Sequence, residues 1–371
     1  MKTNMAGLKN KKIKKKVDPL SSSVRRIKKK VVKKITRKVT VLDLKKSKHN
    51  PIIAPAESVS WESKATFNPT ALYHDGKVHI IYRAIGDNDI SVLGYGRSSD
   101  GHSVDRGSKE IAYYSSRPAI KKGLAPEIIY SSGGGWGGGS EDPRLTLFGD
   151  QVYMIYTSFD GWGSVRMALT SISLNDFIER RWNWGEPVFI SPPDEIHKNW
   201  VLFPEKISVP ASLGKGKYAI LHAISPKIMI DYFDSLDEFD GKTYIHSIHQ
   251  GSPLWGSRDK FIRGVGPSPI KTKHGWLILY HKMEAHETHR YKLWAMILDE
   301  KDPTKILHNS KGPILEPDLW YENEGYKGGV VYSCGAVVKD GQLFVYYGGA
   351  DKVSCVATAD LDKFLNILCT S

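Results

Sequence analysis

Cysteine is scarce in this chain: Cys334, Cys355 and Cys369 are the only three, all late and odd in number. Their spacing fits neither a disulfide framework nor a thiolate metal site. Reduced thiols in the cytoplasm are the expectation, with the first two as small buried hydrophobes. Long apolar runs are missing too. The early apolar residues are interrupted by lysines every few positions, so neither a secretory signal nor a membrane-spanning segment is expected. Helical periodicity is rare throughout. What the chain does hold is turn formers and rings: 34 glycines, ten tryptophans and eighteen tyrosines, with a 40% hydrophobic fraction that is enough for a sizeable core.

The formal net charge of +13 is unevenly spread. Residues 1–49 carry 19 Lys or Arg against Asp18 and Asp43, while the rest of the chain carries 34 basic and 38 acidic side chains. The sequence thus divides into a basic tail, 1–49, expected to be solvated and flexible, and a β domain, 50–371. The tail's lysine runs suit weak contacts with an anionic surface or polymer. No aromatic platform or recognition motif accompanies them, so no specific nucleic-acid partner is expected.

From residue 66 onward one phrase recurs five times: an apolar strand, a Gly-containing turn, then a second strand rich in aromatics. The turns fall at Asp75-Gly76, Gly149-Asp150, Gly214-Lys215-Gly216, His274-Gly275 and Asp340-Gly341. Such turns between alternating runs are strong hairpin signals, because their positions need positive φ. Tyr82, Tyr156, His222, Tyr280 and Tyr346 occupy equivalent places, separated by 74, 66, 58 and 66 residues. A further strand-like run follows each hairpin. A unit repeating at this period implies radial stacking, hence an all-β, five-bladed β-propeller. A β-sandwich with coincidental turns is the alternative.

A propeller gathers its ligand at the central channel, so polar residues flanking the inner strands become candidates. They are Asn68-Pro69, Arg83, Glu141-Asp142-Pro143-Arg144, Phe203-Pro204-Glu205-Lys206, His281-Lys282 and Asp351. Carboxyl groups in such a ring suit transfer at a sugar carbon, where a glycosidic oxygen must be protonated as a nucleophile attacks from the opposite face. Trp61, Trp136, Trp162 and Trp255 are candidates for stacking on sugar rings, or equally for packing between blades.

From about Asn50 to Leu368 the chain resembles glycoside hydrolase family 130, the inverting β-mannoside phosphorylases and β-mannosidases. The matching phrases are Asn50-Pro51-Ile52, Phe67-Asn68-Pro69, Tyr82-Arg83-Ala84, Ser140-Glu141-Asp142-Pro143-Arg144, Leu202-Phe203-Pro204-Glu205-Lys206, Gly275-Trp276-Leu277, Tyr280-His281 and Tyr346-Tyr347-Gly348-Gly349-Ala350-Asp351. The resemblance implies that Asp142 is the general acid, passing its proton through a hydroxyl of the bound mannose. It implies that Asn68, Arg83, Glu141 and Asp351 hold the mannosyl unit, and that Arg166, Lys206 and His281, with Arg144 beside them, bind phosphate. Phosphate is a weak, highly charged nucleophile, and a site that uses it needs convergent cations. A hydrolase needs a carboxylate base instead, for which Glu205, Glu284 or Glu287 are candidates. Asn199 stands where an Asp is common in the family, Lys282 where a Gly is common. The expected substrates are a β-mannoside or mannosylated acceptor plus phosphate, giving mannose 1-phosphate, with no metal or organic cofactor. An inverting β-mannosidase, with β-1,2-linked mannosides among its candidate substrates, and a non-catalytic glycan-binding propeller are the other readings.

Overall fold

The computed structural model describes residues 42–107, 109–115, 137–161, 164–193, 195–208, 216–248 and 261–370. The basic segment lies outside these residues up to position 41, as do Trp136, Trp162, Trp255 and the Gly214-Lys215 turn. The rest of that segment is built into the β structure. Leu44 is buried, and β1 (Lys45–Lys46) pairs with a strand more than 300 residues later.

The described chain is nearly all β. The first hairpin is β2 (Ala65–His74) and β3 (Lys77–Ile85), extended by β4 (Ser91–Ser98) and β5 (Ile111–Tyr113). A second antiparallel meander runs through β6 (Gly139–Phe148), β7 (Gln151–Phe159), β8 (Val165–Ser173) and β9 (Val188–Phe189), and one parallel pairing, Ser91 with Gly139, joins it to the first. A third sheet holds β10 (Val201–Leu202), β11 (Tyr218–Ala223) and β12 (Met229–Phe233). The fourth holds β13 (Ile262–Val265), β14 (Ile270–Thr272), β15 (Gly275–Glu284), β16 (Glu287–Leu298) and β17 (Ile306–Asn309). The last is β18 (Val331–Lys339), β19 (Gln342–Gly349) and β20 (Val353–Asp360), with β1 on the outside of β20. After β8, Asn175-Asp176-Phe177 lies in a short helix, α1 (Leu174–Ile178), and after β20 Asp362-Lys363-Phe364 lies in the first turns of α2 (Leu361–Thr370).

The turn chemistry behaves as the sequence requires. Asp75 and Gly76 take φ 44° and 72°, and Asp340 and Gly341 take 51° and 73°. Two successive positive φ values twist a two-residue turn to match its strands.

Side-chain alternation then sorts each strand between two cores. On β3, Ile81 packs with Leu145, Met154 and Tyr156 of the second meander, while Ile80 and Tyr82 pack with Phe344, Tyr346 and Val356 of the fifth. On β7, Ile155 turns instead toward Leu202 and Ile220 of the third. Ile278 and Tyr280 of β15 face Val201 and Leu221, whereas Leu277 and Leu279 face Leu343 and Val345. Each meander therefore shares one apolar layer with the next, and the fifth shares one with the first. Each fully buried Leu, Ile or Phe in these layers contributes about 1.5–3 kcal/mol relative to exposure.

Candidate functional site

Where the inner strands begin, the ladder is interrupted at corresponding places. Pairing slips between Phe67 and Thr70 on β2, between Glu141 and Arg144 on β6, between Ile262 and Gly264 on β13, and between Ser333 and Gly335 on β18. A bulge of this kind re-aims a side chain out of the alternating pattern. Asn68 and Asp142 both sit at φ 48°, each just before a proline, and Asn199, directly ahead of β10, sits at φ 65°. Asn and Asp tolerate this left-handed conformation better than other side chains. The local strain turns polar groups toward one common point.

At that point Asn68 Nδ2 donates to Asp142 Oδ1 at 2.7 Å. Arg83 lies between the two acids of the second meander, 2.6 Å from Glu141 Oε1 and 3.4 Å from Asp142 Oδ1, and its Nε reaches Ser91 Oγ at 3.0 Å. These groups are almost wholly enclosed; Asp142 is 4% exposed, Asp351 7% and Glu141 0%. Burial pushes the Asp142 carboxyl up, but Arg83, Lys198 and Arg144, with the Asn68 hydrogen bond, outweigh it and hold the group below its ordinary value. Asp351 goes the other way: burial raises it, and Lys327, Arg83 and Lys198 offset only part of that. Asp142 is therefore ionised at neutral pH, while Asp351 keeps a proton more readily than an ordinary carboxyl.

Gly348 on β19 makes this approach possible. A Cβ there would lie 2.2 Å from Asn68 Oδ1 and 2.8 Å from Asn68 N. Gly348→Ala should displace Asn68 and free Asp142 of its amide partner, lowering kcat about tenfold or more and costing about 1–3 kcal/mol of stability. Steady-state kinetics alongside thermal unfolding would check both effects.

The residues assigned to phosphate divide. Arg144 is 1% exposed and fully engaged inside the protein. It donates to Gly266 O (2.9 Å), Asp142 O (2.8 Å), Asn199 Oδ1 (2.8 Å) and Tyr332 Oη (3.3 Å), tying together residues from four sheet segments. His281 is stacked on Tyr332 with centroids 4.1 Å apart, and its Nε2 accepts from Ser333 N–H at 2.9 Å. Burial, reinforced by Arg144, takes its pKa down to about 3, so it is a neutral imidazole. Arg166 pairs in register with Ser158, which pairs with Ser140, placing it two strands out at the same end of the sheet. Its guanidinium stacks 3.9 Å over Phe189 and donates to Ser191 O. Lys206 is exposed, with Nζ 4.6 Å over the Tyr218 ring. It lies beside the Ile207–Lys217 bridge at the turn end of its hairpin, seven residues or roughly 20 Å of extended chain beyond Asn199.

Two lysines that sequence reasoning passed over lie within electrostatic reach of the acids. Lys198, next to Asn199, is driven down to about 8 by burial, against the pull of Asp142 and Glu141. Lys327 acts on both Lys198 and Asp351. The register offered the signal for the first: the partner of His222, equivalent to Tyr82 and Tyr156, falls at residues 199–200 and not at 206. Lys327 comes from a loop with no repeat signature. The alternative bases are all engaged with lysines, Glu205 with Lys271 at 2.5 Å, and Glu284 and Glu287 with Lys292. Among the described residues, Glu284, His286 and Glu287 are the one cluster with metal-ligand geometry, and Lys292 already sits on its carboxylates.

Known proteins resemble this chain over most of its length. The family model described as glycoside hydrolase family 130, beta-1,4-mannooligosaccharide phosphorylase, matches residues 25–370. A 1,2-beta-oligomannan phosphorylase of Thermoanaerobacter sp. is 36% identical over 332 residues, covering 86% of this chain and 98% of that protein. A beta-1,2-mannobiose phosphorylase from the same organism is 32% identical, covering 85% and 96%. In fold, the chain is similar to the solved beta-1,2-mannobiose phosphorylase of Listeria innocua, with a TM-score of 0.64 at 24% identity over 88% of this chain and 99% of that one.

Proposed function

The chain belongs to glycoside hydrolase family 130 and is a β-mannoside phosphorylase, and within that activity we propose that it takes β-1,2-linked mannosides on a closed five-bladed β-propeller. The closed ring is supported by the succession of shared apolar layers that returns from the fifth meander to the first. The linkage is supported by the names of the two relatives at 36% and 32% identity.

The observation that carries phosphorolysis is the set of cations, Arg83, Lys198 and Lys327, converging on Asp142 and Asp351. Asn68, Arg83, Glu141 and Asp351 hold the mannosyl unit. A phosphate oxygen forms a bond to the anomeric carbon as the glycosidic C–O bond breaks on the opposite face. The leaving oxygen takes a proton that originates at Asp142 and passes through a mannose hydroxyl, giving α-mannose 1-phosphate and a shortened acceptor. Asp142 starts ionised, so the incoming phosphate must change its state. By neutralising the cations that depress the carboxyl, a bound phosphate raises its pKa, and Asp142 takes up from solvent the proton that it then gives away. Lys198 is the better placed lysine for phosphate, with Arg166 behind it. Lys206 and His281 act at most indirectly, the one by its distance and the other by its neutrality. Among the described residues no helix is long and apolar enough to cross a membrane. Cys334 and Cys355 are buried thiols, which fits a cytoplasmic enzyme.

A panel of mannobioses, incubated with and without phosphate and assayed for mannose 1-phosphate, tests the reading. Release of free mannose at the same rate without phosphate would overturn it. A pH series adds a second check. As pH rises through about 8, Lys198 loses its proton and phosphate binding weakens, so kcat/KM for phosphate falls. In Lys198→Gln that fall is absent, and the phosphate KM is raised at every pH.

A further inference from the structure

We propose that Tyr291 is a positioning residue for phosphate: its ring holds the ammonium of Lys327 near Asp351 and leaves that charge available to an incoming anion. The inference rests on the phosphorylase reading above and identifies what aims one of its cations.

Lys327 Nζ lies 4.0 Å from the centroid of the Tyr291 ring, which stands on β16. Arg263 of β13 reaches the same ring, with Cζ 5.5 Å from its centroid. The backbone locks this ring to the loop that carries Lys327. Tyr291 N donates to Gly329 O at 2.9 Å, and Tyr291 pairs with Val330 in a parallel bridge. A Cβ on Gly329 would lie 3.2 Å from Arg290 Cγ, so the loop runs close against the start of β16. Lys327 N in turn donates to Ala350 O at 3.0 Å, and Ala350 N donates to Val330 O at 3.0 Å. Ala350 directly precedes Asp351. Both ends of the Lys327 side chain are therefore fixed, the backbone beside Asp351 and the ammonium against the ring.

The choice of a ring has a chemical reason. A lysine that must be ordered by its anion loses rotamer freedom on binding, and one already held loses less. A carboxylate could also hold it, but would neutralise the ammonium and compete with phosphate. An aromatic face attracts the cation through its quadrupole and adds no net charge. Among the described residues Lys327 forms no ion pair with a carboxylate. Lys327 is also the cation that most offsets the effect of burial on Asp351. The same ring braces the strand behind the second lysine. Arg263 O accepts from Asn199 Nδ2, and Asn199 directly follows Lys198. Tyr291 further packs with Val330 and Tyr332, and Tyr332 stacks on His281.

The test measures KM for phosphate and for mannobiose in Tyr291→Leu, Tyr291→Phe, Lys327→Gln and the double variant Tyr291→Leu with Lys327→Gln. Leucine keeps an apolar side chain against Val330 but removes the ring. It should raise the phosphate KM about fivefold and leave the mannobiose KM and kcat within about twofold. Should Tyr291→Leu not fold, Tyr291→Met carries the same expectation. Tyr291→Phe keeps the ring face and should stay within about twofold of the wild-type phosphate KM. With Lys327→Gln already present, Tyr291→Leu should add less than about twofold, because the ring has no charge left to aim. A parallel rise in both KM values, additive effects in the double variant, or a phosphate KM unmoved by Tyr291→Leu would each overturn the assignment. Phosphate-dependent turnover by the wild type, measured alongside, separates that failure from one of the phosphorylase reading; its absence would sink both.

Discussion

Asp142→Asn lowers kcat for a mannobiose about 1,000-fold, within the range that a general acid supplies, while the protein stays folded. The side chain is isosteric, and its amide oxygen still accepts from Asn68, which now donates 2.7 Å away to a neutral group. What is lost is the proton. The loss should therefore depend on the leaving group. An aryl mannoside whose phenolate departs unprotonated should fall far less than mannobiose, about tenfold or below. If Asp142 only positioned the sugar, both substrates would fall equally. Asp351→Asn is the control, because burial makes Asp351 hold its proton more readily. As a sugar-binding residue it should raise KM for both substrates alike; a leaving-group dependence in Asp351→Asn and none in Asp142→Asn would exchange their roles.

Arg144→Lys is expected to be the most destabilising conservative change in the site. A lysine offers three donors from a point charge and cannot span Gly266 O, Asp142 O, Asn199 Oδ1 and Tyr332 Oη together. Each buried acceptor left unmatched costs about 1–3 kcal/mol, so a total of about 3 kcal/mol or more is expected, read as a fall in the denaturation midpoint. Below that midpoint kcat should fall too, because the Asp142 backbone loses its tether. The phosphate KM should move no more than the mannobiose KM. A variant with wild-type stability and a selectively raised phosphate KM would instead make Arg144 a phosphate ligand.

The contrast between these residues shows what the sequence could convey. Hairpins were readable because a turn such as Asp340-Gly341 is a local property, written in two adjacent residues. The position of Asp142 was legible as a candidate because Glu141-Asp142-Pro143-Arg144 stands at the mouth of the second of five repeated hairpins and matches a phrase of the family. The role of a cation was not readable. Arg144, Arg166, His281 and Lys206 look alike as basic residues near inner strands, yet one is a buried clamp, one a half-buried stacked guanidinium, one a neutral stacked ring and one a surface lysine. Burial and hydrogen-bond saturation decide among them, and both depend on partners up to 188 residues away. Lys198 was hidden by the length of its hairpin, which shifts the equivalent position away from the family-like phrase at Phe203-Pro204.

The pairing of Lys45–Lys46 with β20 has a consequence for synthesis. Asn50 bonds to Val356 across 306 positions, and Lys46 reaches the buried Glu322 across 276. These contacts cannot form on a ribosome until almost the entire polypeptide has emerged, and loop-closure entropy penalises them further. The early meanders must wait with an unsatisfied edge, exposed to chaperones and to neighbouring nascent chains, until the C-terminal sheet arrives. A pulse-labelled chain should accordingly gain protease resistance in a single late step.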